Sequence, residues 1–143
     1  FINPNSIRKL DMDLKDLTPK TDTVEVLIRN PSTDEPLVNE DGTQMSIVMY
    51  ATHTKEYKSE VHRQTNIKLK RMEKSGRMQV TAEDLEASAI LHMAKVTKSW
   101  NITYDGEQPE LTIDKAKEIY IDLPWAKTQI EEALADSVDF TNV

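Results

Sequence analysis

Three histidines, His53, His62 and His92, are the side chains best suited to hold a metal or move a proton near neutral pH. No two stand four residues apart and no His-Glu-x-x-His run occurs, so the sequence encodes no helical zinc site. Nucleophilic catalysis needs a hydroxyl or thiol held by a base. The chain has no cysteine. Ser59, Ser75, Ser88 and Ser99 belong to neither a Gly-x-Ser-x-Gly turn nor a Ser-x-x-Lys set with its partner motifs. The carboxylate pairs Glu83-Asp84 and Glu131-Glu132 are sequence neighbours. On a helix, neighbours point roughly 100° apart, so neither pair converges on one substrate. A Gly-x-x-x-x-Gly-Lys phosphate loop is absent, and the whole chain holds only three glycines. These observations argue against an enzyme, a cofactor and a resident metal.

The remaining chemically pointed feature is a basic run, Lys68-Leu69-Lys70-Arg71, continued by Lys74 and Arg77. It falls near the expected C-terminus of a helix, where cations are favoured by the dipole and are commonly just solvated. No aromatic residue is interleaved with it, so base stacking is not suggested. As a contact surface it would serve a protein, and Lys68, Lys70, Arg71 and Lys74 are the candidate partner-binding residues.

Charge is divided along the chain. The net charge over 143 residues is −7. Residues 51–80 carry eight Lys and Arg against three Glu, whereas residues 101–143 carry ten acids against three Lys. Overall acidity argues against nucleic acid as the partner. The basic middle and acidic end are complementary, so copies could associate head to tail into a ring or helical array. No run approaches the roughly 18 apolar residues of a membrane span. The lack of cysteine fits a reducing cytosol.

The elements that must position these residues follow from periodicity. Residues 1–22 form an arm or, from the spacing of Leu10, Leu14 and Leu17, a short helix. Val24, Val26 and Ile28 alternate with polar or outward neighbours and predict a strand. Pro36-Leu37-Val38 predicts a short strand and Asn39-Glu40-Asp41-Gly42 a turn. Residues 45–50 predict the next strand. Thr52 or Thr54 caps a helix to about Lys74, with Tyr57, Val61, Thr65, Leu69 and Met72 as its apolar stripe and Gly76 as its stop. Thr81 with Asp84 forms a capping box for a helix to about Lys98, whose stripe of Leu85, Ala89, Met93 and Val96 continues to Trp100. Thr112 caps a third helix through Tyr120, with Ala116, Ile119 and Tyr120 inward. Pro124 opens a fourth, carrying Trp125, Ile130, Leu134 and Val138. Trp100 and Trp125 are expected to anchor the core. The fold class is α+β: a small antiparallel hairpin or meander over 23–51, then about four helices over 52–140, in one domain covering 23–143.

The C-terminal half has a further cadence. It reads Trp100, Asp105-Gly106-Glu107 with Pro109, Thr112 opening a helix to Tyr120, Pro124-Trp125, Gln129-Ile130, Ala133-Leu134, Asp136 and Asp139-Phe140. Upstream stand Asp34-Glu35-Pro36-Leu37, Ser46-Ile47-Val48-Met49-Tyr50 and Glu56-Tyr57. Over about Thr23 to Phe140 this order resembles the tail assembly chaperone family of long-tailed bacteriophages. His53-Thr54-Lys55 departs from the small Asp/Ser-type step of that pattern, and the arm before Val24 is long. The resemblance implies a non-enzymatic protein that coats the tape-measure protein, keeps it soluble and helps recruit tail-tube subunits. It implies the shorter product of a frameshifted pair, active in the host cytoplasm and absent from the mature virion. The rival class is a head–tail connector or tail-completion protein that stays in the particle.

Overall fold

The computed structural model describes residues 21–75 and 81–139. The expected N-terminal arm, the Gly76 stop and the chain end beyond Asp139 lie outside the described residues. The elements run β1 (Thr23–Leu27), β2 (Ser46–Tyr50), α1 (Lys55–Ser75), α2 (Ala82–Lys95), β3 (Thr97–Asn101), α3 (Ile113–Asp122) and α4 (Pro124–Asp139). The class is α+β, with a three-stranded antiparallel sheet in the order β1-β2-β3 and four helices among the described residues.

The sheet is centred on β2. Val26 pairs with Ile47 and Val24 with Met49, so apolar residues of both strands share the inner face. Segment 36–38 does not become a strand. It makes isolated bridges, Arg29 to Pro36 and Val38 to Gln44, that fold the connection back over the hairpin. The turn at Asn39–Gly42 closes as expected: the Gly42 amide donates to the Asn39 carbonyl at 2.9 Å. Gly42 has φ 87°, the left-handed region that a residue without Cβ enters cheaply. Asn39 does more than turn the chain. Its buried amide donates towards Thr43 Oγ1 (3.2 Å) and Asn101 Oδ1 (3.1 Å), and its carbonyl oxygen accepts from Thr103 Oγ1 at 2.6 Å.

One expectation is corrected here. The second helix does not reach Lys98. It ends at Lys95, and residues 97–101 form β3 against β2. Trp100 therefore sits on a strand, opposite Ile47, and its indole N–H donates to the Pro109 carbonyl at 2.9 Å. The strands-then-helices order is interrupted, because β3 returns to the sheet after two helices.

The helix starts follow their caps. Thr54 Oγ1 accepts from the Tyr57 amide at 3.2 Å and donates to the Ala51 carbonyl at 2.7 Å, which fixes the entry to α1. The Thr81–Asp84 capping box is complete in both directions (3.1 and 3.3 Å). Thr81→Ala should cost about 1 kcal/mol of stability, within the usual 0.5–2, as read by denaturant unfolding. Thr112 Oγ1 accepts from the Lys115 amide at 3.0 Å, and α4 opens on Pro124. The loop before α3 turns on Asp105 and Gly106, both at positive φ (56° and 77°), between the paired Tyr104 and Glu107.

The core lies between the inner sheet face and α2, α3 and α4. Its fully buried large side chains are Tyr120, Ile47, Met49, Ile119, Ile130 and Val96. Ala116, Ile119 and Tyr120 point inward, as their spacing requires. Trp100 and Trp125 are half-buried and pack against the rim of this cluster, so they flank the core without forming its centre. At the centre Thr97 Oγ1 meets Tyr120 Oη at 2.7 Å and the Met93 carbonyl at 2.8 Å, joining β3, α3 and α2 through one hydroxyl. Burial pushes the Tyr120 phenol up to about 12, so it stays a neutral hydrogen-bonding group.

Candidate functional site: an apolar groove beside α1

The long helix α1 is fastened to the body mainly through its first turns. Tyr57 meets His92 of α2 edge to face, with ring centroids 4.6 Å apart. Glu60, nearly buried, accepts from Arg63 at 2.8 Å and Gln64 at 3.2 Å, and lies 3.8 Å from Lys95 of α2. The apolar stripe of α1 is therefore partly covered only at Tyr57. Val61 is 41% exposed, Leu69 51% and Met72 38%, and Ile67 is exposed beside them. On α2 the inward residues are Ile90, Met93 and Ala94, whereas Leu85 is 53% exposed. The stripes of α1 and α2 face one another across a gap that no described element fills.

That gap is a groove of about 550 Å³. Its lining is mixed: apolar Tyr57, Val61, Leu85, Ala89, Met93 and Leu134 alternate with polar Gln64, Thr65, Ser88 and His92. Lys68 and Glu131 stand among its lining residues with opposite charges. The shape is an open trough between α1 and α2, closed at one side by α4. It suits an apolar helical stripe, since a helix-in-groove complex reads i, i+3, i+4 and i+7 anchors in such a trough.

The basic candidates are not brought together as one patch. Lys68 lines the groove and is half-buried. Lys70 lies two residues on, roughly 200° around the helix, and so faces away from it. Arg71 and Lys74 are exposed on α1 beyond Lys68. Only Lys68 belongs to the site. Periodicity marked these stripes as apolar but did not locate the groove between them. The available signal was an excess of stripe: five positions on α1 with little more than α2 available to cover them.

The other chemically suggestive side chains are dispersed. His53 stands 3.5 Å from Asp22, His62 is exposed on α1, and His92 lines the groove. Glu131 pairs with Lys127 at 3.3 Å, and Asp84 serves its capping box. No group of three or more metal-ligating side chains comes together among the described residues. No described helix is long and apolar enough to cross a membrane.

Two groups make this corner pH-sensitive. Burial pushes the Glu60 carboxyl up, but the hydrogen bonds from Arg63 and Gln64 and the charges of Lys95 and Arg63 outweigh it, and the net shift is downward. Burial pushes His92 down, against the opposing charge of Glu60. Each is a lowered folded-state value, so each contributes stability above its unfolded value and loses it as pH falls through the folded one. The melting temperature should thus fall below about pH 6.5 through His92, and fall again below about pH 4.3 through Glu60. His92→Phe should flatten the first window and Glu60→Gln the second, as read by melts across pH.

Comparison with known proteins gives no relative: no family model, no curated protein and no solved structure matches the chain.

Proposed function

We propose that this protein is a tail assembly chaperone of a long-tailed bacteriophage, which binds the tape-measure protein through the α1–α2 groove and keeps it soluble. The observation that carries the reading is the uncovered trough, with exposed Val61 and Leu85 among its lining residues. An exposed apolar surface of this kind marks an interaction site. A tape measure offers long apolar helical faces before its tube is built, and a trough that takes one helix stripe at a time fits such a client. The motif cadence from Trp100 to Phe140 points to the same family. Many modest contacts along one client would give avidity while leaving each contact reversible. In this reading the chain also helps recruit tail-tube subunits, acts in the host cytoplasm and leaves before the virion matures.

Co-expression tests it. The tape measure of the same phage should be insoluble alone, soluble with this chain, and recovered with it on a tag. Mass spectrometry of purified virions should find the chain missing. Stoichiometric presence in virions, or a client that stays insoluble, returns the connector reading. A coat also needs copies that touch. Sedimentation in low salt should show weak association that added salt reverses, because exposed ion pairs are worth about 0–1 kcal/mol each and are screened. A monomer at every concentration would count against a coat held by the basic and acidic stretches.

A further inference from the structure

We infer, taking the groove as the helix-binding site proposed above, that its occupant is an amphipathic helix of another protein carrying a carboxylate that meets Lys68, about one turn beyond its apolar anchors. Every other charge on or beside the lining is already answered. Glu131 is paired with Lys127 at 3.3 Å. His92 packs edge to face on Tyr57. Glu60, next to the groove on α1, is met by Arg63, Gln64 and Lys95. Lys68 lines the groove half-buried and has no ion pair or hydrogen bond among the described residues. Its stem can lie along the trough while its ammonium stays in water. A helix seated in the trough removes part of that water, and a desolvated charge is costly unless it is paired. The helix that docks at least cost is one that brings the missing anion.

The position of Lys68 along the groove sets where that anion must stand. The Tyr57–His92 and Glu60–Lys95 contacts join the start of α1 to the end of α2. Tyr57 and Val96 therefore mark one end of the lining, and Lys68 and Leu85 the other. From Tyr57 to Lys68 the helix rises about 16 Å, and from Val96 back to Leu85 the same, so the lined stretch is three turns long. A client helix of three turns covers it. Apolar residues at i, i+4 and i+7 lie against Val61, Ala89 and Met93, and an Asp or Glu one turn past the outer anchor falls at the Lys68 end. A Lys or Arg there would set two cations together where water is being excluded, which rejects such a helix as firmly as the acid selects its own. The site thus sorts amphipathic helices by charge as well as by apolar face, whether or not the client is a tape measure.

Two fluorescein-labelled peptides of about 18 residues, long enough to hold a helix, test this against the full chain. Both carry Leu at i, i+4 and i+7; one has Glu at i−4 and i+11, the other Lys at the same places, so either direction of docking sets a charge at Lys68. In low salt, fluorescence anisotropy should show the Glu peptide binding about tenfold tighter than the Lys peptide, a gap that added salt narrows. Lys68→Met, which keeps the apolar stem, should erase the gap, and Lys68→Glu should reverse it. Lys70→Glu, on the far side of α1, should leave it. The melt of each variant should match the native chain, since Lys68 has no partner to lose among the described residues. Equal binding of the two peptides, or a preference that survives Lys68→Met, would overturn the inference and leave the groove as a helix site. Binding of neither peptide would overturn the groove reading with it. A dimer in sedimentation that Val61→Asp dissolves would assign the groove to a second copy and overturn the inference as well.

Discussion

Tyr120→Ala should remove about 3–5 kcal/mol of stability, the largest loss we expect from any single substitution in the described fold. The side chain is essentially fully buried, and its hydroxyl shares a 2.7 Å hydrogen bond with Thr97 at the junction of β3, α2 and α3. Truncation leaves a cavity in the buried cluster and strips Thr97 of a partner. Domains of this size are stable by only about 5–15 kcal/mol, so the variant should be visibly destabilised at ambient temperature. Tyr120→Phe separates the two contributions. It keeps the ring and should cost about 0.5–1.5 kcal/mol for one lost hydrogen bond, since Thr97 keeps the Met93 carbonyl. Chemical denaturation of both variants checks the pair. Equal losses would show that the hydroxyl, not the packing, holds this junction.

The second large effect is on binding. Val61→Asp with Leu85→Asp should weaken capture of an apolar helical client by roughly 10- to 100-fold, because central apolar anchors carry most of such an interface. The fold should be indifferent. Both side chains are around half exposed, and surface changes of this sort usually stay within about ±0.5 kcal/mol. The expected signature is an unchanged melt with client solubility lost in co-expression. Lys70→Glu, on the far side of α1, should leave client solubility as it is. If Lys70→Glu abolishes solubility and the aspartates do not, binding runs through the basic run and the groove reading is wrong.

How much of this was legible in the sequence depends on how local the signal was. Caps were legible because their chemistry lies within three residues: Thr54, Thr81 and Thr112 each perform the hydrogen bond their position foretells. The inward face of α3 was legible because three-and-four spacing maps directly onto a helix buried on one side. Strand β3 was not. A register shift in its pairing with β2 sets Val48 opposite Ser99 and Met49 opposite Thr97, leaving Lys98 over. Lys98 and Ser99 are both exposed, so the two inward residues, Thr97 and Trp100, stand three apart. That spacing imitates a helix, and the reading extended α2 through it. The role of Asn39 was hidden for a different reason: its partners Asn101 and Thr103 lie more than sixty residues away, and only the folded chain brings them to it. The groove was hidden because apolar periodicity marks a face that prefers to leave water without saying whether its cover belongs to the same chain.

The side chain of Gln129 has a consequence for how copies of this protein can meet. Its carboxamide accepts from the Arg29 amide at 3.0 Å and donates to the Arg29 carbonyl at 2.8 Å. Those two backbone groups lie just past β1, an outer strand of the sheet. A side-chain amide reproduces the donor and acceptor of a peptide unit, so Gln129 acts as a one-residue neighbouring strand. An open sheet margin is a template on which another chain can lengthen the ladder without limit. Here the template is stopped by a residue whose own helix is packed on the sheet. Strand addition is opposed at that end of the margin, because the donor and acceptor just past β1 are already taken.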